Sequence, residues 1–218
     1  PGNEATIGVM VHELGHDLGL PDLYDYDQGV GASAGAGVWS VMAEGAWGPV
    51  DFDPWSKFFE GWVTPTLVTT GLANEPIVQS ATSQDYYQFL SGTPTSGEYF
   101  LVENRQNVGY GAVLPWAGLL IWHIDAAKAN NNGECYPGGP SCATQHYKVA
   151  VVQADNLYEL EKNIDSGDGG DPWPGTSGKT TFDSASSPNS NLYSGAGSGV
   201  TVSSISASGS TMTATLGT

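Results

Sequence analysis

The stretch "VHELGHDLGLPDLYD", residues 11–25, constrains this chain more than any other. In an α-helix positions i and i+4 share a face, so His12 and His16 can offer ring nitrogens to one ion only if the segment is helical. Glu13 then falls on the neighbouring side, in reach of a metal-bound water but not of the metal. Gly19 tolerates positive φ and Pro21 cannot continue a helix, so the chain must turn sharply there. That turn can bring Asp22 back as a third ligand. Two histidines, a carboxylate and an open fourth position describe a catalytic zinc site, in which zinc lowers the pKa of its water to about 7 and Glu13 takes the proton. Asp25 is the nearby alternative for the third ligand, and Glu44 the distant one. Met42, in "WSVMAEG", is the candidate hydrophobic floor under the metal, a Met-turn; the plain alternative is a core methionine.

The surrounding pattern sets the fold class. Ile7, Met10, Val11, Leu14 and Leu18 recur at helical spacing and predict a helix over 4–18, with Asn3 as its N-cap. "DPWSKFFEGW", residues 53–62, predicts a short second helix. From about Leu67 the pattern changes. "EYFLVENRQ", "GLLIWHID" and "YKVAVVQAD" read as strands, and the closing segment as a hairpin turned at Ala207–Ser210. The expectation is an α+β fold: a zincin-type active-site helix and Met-turn region over 1–66, then a larger β-rich remainder over 67–218.

Charge narrows the partners. Twenty-three acidic residues stand against six Lys and Arg, for a net charge of −17. Nucleic acid and anionic membrane surfaces both need basic patches, so neither is an expected partner. No apolar run approaches the ~20 residues of a membrane span. Cys135 and Cys142, seven positions apart in a turn-rich stretch, would close a small disulfide loop in an oxidising, extracellular setting. The chain opens at Pro1 directly before the functional helix, and reads as a processed or truncated piece of a longer precursor.

Other chemistry-bearing residues are fewer. Asp165, Asp168 and Asp171 place carboxylates at every third position of a glycine-rich loop, which suits calcium; a solvated acidic turn is the alternative. Asp22, Asp25 and Asp27 form a second acidic group that could bind calcium as well. His123 leaves the apolar strand "GLLIWHID" and either lines a substrate cleft or is a structural histidine held by a carboxylate. Glu103 and Arg105 lie on one side of a strand as a structural ion pair. His146 has no constellation around it, and the tryptophans read as core and loop anchors.

These motifs together resemble the immune inhibitor A family of secreted bacterial zinc metallopeptidases, in the C-terminal part of their catalytic domain. The residues carrying the resemblance are "HELGHDLGLPDLYD" (12–25), "WSVMAEGAWG" (39–48), "YFLVENRQ" (99–106), "LPWAGLLIWHID" (114–125), "QAD" (153–155), "GDGGDPWPG" (167–175) and "SGVTVSSISASGSTMT" (198–213). The resemblance implies a secreted, calcium-stabilised zinc endopeptidase acting on proteins or peptides, with His12 and His16 as ligands and Glu13 as general base. It also implies an upstream catalytic subdomain, absent from these 218 residues, so an upstream fragment or propeptide is an expected partner. The competing expectation is a non-catalytic, calcium-stabilised structural or adhesive module with a vestigial metal site.

Overall fold

The computed structural model describes residues 6–26, 32–139 and 141–218. These residues form a mixed α+β fold with two short α-helices, three 3₁₀ turns and two sheets. Helix α1 (Ile7–Asp17) starts at Thr6, whose hydroxyl accepts from Val9 N at 3.3 Å. The predicted N-cap, Asn3, lies outside the described residues, and so does Asp27. Helix α2 (Pro54–Phe59) has Pro54 in its first turn and Asp53 as N-cap, accepting from Ser56 N at 2.9 Å.

The larger sheet runs β1 (Thr66–Val68), β3 (Tyr87–Phe89), β4 (Glu98–Arg105), β5 (Gly118–Asp125), β6 (Val149–Val151), parallel only between β1 and β3. The smaller antiparallel sheet runs β2 (Leu72–Val78), β8 (Thr211–Gly217), β7 (Thr201–Ser203). Strands β4 and β5 are buried on both faces, which is why they read as continuous apolar runs. One face, with Tyr99, Leu101, Leu120 and Trp122, packs under Trp39, Met42 and Trp55. The other, with Phe100, Val102, Leu119 and Ile121, meets the smaller sheet through Ile77, Met212 and Leu216. Residues from both 1–66 and 67–218 thus share the first core.

Helix α1 departs from its expected orientation. Ile7, Met10, Leu14 and Leu18 are 58, 59, 56 and 45% exposed, while Gly8, His12 and Gly15 are buried. The helix lies against the 39–48 loop by its glycine face. A Cβ on Gly8 would sit 2.4 Å from the Ala46 carbonyl oxygen, and one on Gly15 equally close to Met42 Sδ. This close approach sets the height of His12 over the loop. Gly8→Ala should therefore lower stability: helix propensity gains about 1 kcal/mol, but overpacking against a fixed backbone costs about 1–3 kcal/mol. A melting temperature at or above the parent's would contradict that packing.

Candidate metal centre

The close packing places the His12 ring where its Nδ1 donates to Val41 O at 2.8 Å. At the far end of the helix Gly19 takes φ +100°, and the chain turns back so that His16 Nδ1 donates to Leu20 O at 2.9 Å. A carbonyl oxygen only accepts, so each Nδ1 carries a proton, and in the neutral ring that binds a metal the lone pair then sits on Nε2. Those two Nε2 atoms lie 3.1 Å apart. Asp22 Oδ1 stands 3.1 Å from the first and 3.2 Å from the second.

With both rings neutral, three ligand atoms face one another, two imidazole nitrogens and a carboxylate oxygen. Such an arrangement is repulsive until a cation fills it. The separations match the ~3.3 Å edges of a tetrahedron with metal bonds near 2.0 Å. Two imidazoles and a carboxylate form the donor set that zinc prefers, and the backbone carbonyls behind them fix ring orientation. The residues present fit the ion.

Asp22 is the candidate third ligand that converges. Asp25 is buried and accepts from Gly133 N at 2.9 Å. Glu44 instead lines a pocket of about 360 Å³ beside His12, shared with Glu13, Tyr24 and Trp47. Met42 is fully buried beneath Gly15, and its carbonyl holds Leu23 N at 2.8 Å, anchoring the Asp22 turn. Tyr24 is a member of this site that sequence reasoning missed. Its ring stacks over His12 with centroids 6.3 Å apart. Burial, then the carboxylates of Asp22, Glu44 and Glu13, push the phenol's pKa up, so it stays a proton donor. Its place only two positions beyond Asp22 was the available signal.

The remaining candidates lie elsewhere. His123 is on the opposite face of β5 from Trp122, donating from Nε2 to the Glu98 carboxylate at 2.9 Å and stacked on Tyr193 at 3.9 Å. His146 stacks on the other side of that tyrosine and pairs with Asp125 at 2.7 Å, a constellation invisible in sequence. Burial holds the His123 ring below its ordinary pKa although Glu98 pulls it upward. Cys135 and Cys142 are joined in a disulfide. In the acidic loop the carboxylates that converge are Asp155, Glu159 and Asp168, with oxygens within 4.8 Å of one another. Asp171 turns inward, accepting from Trp39 Nε1 at 2.7 Å and Asp168 N at 3.0 Å, and burial pushes its carboxyl up to about 8. Asp165 accepts from Gly167 N at 2.9 Å. Glu159 is raised by burial and then by Asp165, Asp168 and Asp155.

Residues 1–58 match the family described as Immune inhibitor A peptidase M6, catalytic domain. The matched segment holds α1, the Asp22 turn and the Met42 loop. The chain is also similar to the Pre-pro-metalloprotease PrtV of two Vibrio cholerae serotype O1 strains, 43% identical over 63 residues. Immune inhibitor A of Bacillus thuringiensis subsp. alesti is 43% identical over the same length. Each alignment covers 26% of this chain, but only 7% of the Vibrio proteins and 9% of the Bacillus one.

Proposed function

We propose, from the immune inhibitor A peptidase match of residues 1–58, that this chain is a secreted zinc-dependent endopeptidase cutting protein or peptide substrates. The observation that carries the reading is the convergence of His12 Nε2, His16 Nε2 and Asp22 Oδ1, every separation within 3.2 Å. Zinc held there would supply a Lewis acid that acidifies water and polarises a carbonyl. Glu13, lining the same pocket as His12, takes the proton of the attacking water and delivers it to the leaving amine. The Tyr24 phenol, kept protonated by burial and then by its carboxylate neighbours, donates to the carbonyl oxygen as it gains charge. The Vibrio proteins it resembles are named metalloproteases, and among the described residues no helix is long and apolar enough to cross a membrane.

Elemental analysis and titration test the centre directly. The purified chain should hold one zinc, and His16→Ala should weaken binding by at least about 100-fold, since a ligand itself is lost. A chain that takes no zinc would overturn the proposal.

The Asp155, Glu159 and Asp168 oxygens favour calcium as a stabiliser, at this trio in place of the run Asp165, Asp168, Asp171. Millimolar calcium should raise the melting temperature of the parent and not of Asp168→Asn. Equal responses would remove calcium from this loop. The same trio keeps alive the second reading, a calcium-stabilised module without catalysis, which casein hydrolysis lost on chelation would exclude.

A further inference from the structure

A second pocket, of about 330 Å³ and open to solvent, adjoins the metal centre through His16, while Glu13 lines the other pocket with His12. His16 forms one wall, which puts the pocket within reach of a group next to a carbonyl held at the centre. Leu20, Pro21, Trp55 and Phe59 make the other walls apolar, and Lys148 is the one cation in the lining. Lys148 is one of only six basic residues in the chain. Its side chain is buried, with Nζ 5.1 Å from the centroid of the Trp55 ring. Nζ donates to Ala126 O at 3.1 Å and Lys128 O at 2.7 Å. An ammonium has three donors, so one remains. Among the described residues Lys148 has no carboxylate within ion-pair distance: the nearby Asp125 is bonded to His146 and to the backbone of Ala127.

We infer that this pocket is the specificity site of the peptidase and that Lys148 receives a substrate carboxylate there. The inference rests on the zinc-peptidase reading of His12, His16 and Asp22. An apolar slot with a spare cation in its lining accommodates the methylenes of an acidic side chain and bonds its head, while it repels lysine and arginine. Burial lowers the pKa of the ammonium, a cost that a bound carboxylate would offset. The carboxylate can come from a glutamate-like side chain beside the scissile bond or from a free chain terminus. Both present the same chemistry.

The test uses the zinc-loaded full chain and succinyl hydroxamates, whose hydroxamate anchors on zinc and whose adjoining side chain enters this pocket. Their dissociation constants are measured by calorimetry. Three compounds end in a methylamide and carry a glutamate-like, glutamine-like or leucine-like side chain; a fourth is leucine-like with a free terminal carboxylate. The glutamate-like compound should bind roughly tenfold or more tighter than its amide twin, the gain from one charge-assisted bond. That ratio should fall to about one in Lys148→Gln, which keeps donors for the two carbonyls but lacks the charge. Zinc stoichiometry verifies that the variant is folded. If the gain appears instead in the terminal-carboxylate compound and vanishes in the variant, the inference holds with the chain terminus as the source. A gain in neither, or one that survives Lys148→Gln, overturns it. If zinc is held but no hydroxamate binds, the peptidase reading itself fails, and the inference with it.

Discussion

Glu13→Gln is expected to retain one zinc per chain and to lower peptide hydrolysis about 10²–10⁴-fold, the contribution of a positioned general base. Glutamine copies the shape of glutamate but cannot accept a proton. Glu13 also stands outside the set formed by His12, His16 and Asp22, so the ion should be indifferent to the change. Casein hydrolysis and zinc content, measured on the same preparation, separate the two effects. Equal activity in parent and variant would remove Glu13 from the chemistry. Loss of zinc would instead make it part of the binding site. A zinc-loaded parent that hydrolyses nothing would favour the non-catalytic module.

The largest stability effect is expected at Arg105. Its guanidinium bonds Glu103 at 2.9 Å, and both side chains are almost wholly buried. It also reaches Trp39 O and Phe52 O, tying β4 to the two segments that flank the Met42 loop. Arg105→Met leaves the Glu103 carboxylate inside the protein without its cation. Breaking one side of such a pair costs about 3–5 kcal/mol, roughly 10 °C of melting temperature for a chain this size. Adding Glu103→Gln should recover most of that loss. The neutral amide carries no stranded charge, yet still accepts from Trp122 Nε1, now 3.3 Å from the carboxylate. A double variant no more stable than the single one would show that the loss comes from packing.

How far sequence alone reaches differs from element to element. Strands β4 and β5 were legible because burial on both faces leaves an unbroken apolar run. Strand β2 was not: Asn74, Glu75 and Pro76 interrupt it, as an edge strand with an irregular register allows. The three-residue strands β1 and β3 are too short to show any period. In α1 the spacing of Ile7, Met10, Leu14 and Leu18 correctly marks a helix with one apolar face. It cannot say that the helix is seated by its glycines instead, because burial depends on which neighbour comes closest.

The metal centre divides along the same line. His12, His16, Gly19 and Asp22 fall within eleven consecutive residues, and helical geometry followed by one tight turn brings them together. Local chemistry was therefore enough to single out the two histidines and to favour Asp22, with Asp25 and Glu44 left open as alternatives. The pairing of Asp155 and Glu159 with Asp168, and Lys148 beside His16, bring together segments distant in the chain that meet only through packing. Short-range backbone geometry is written in the order of residues. The choice of distant neighbours is made by the burial of the whole chain, and it appears only in three dimensions.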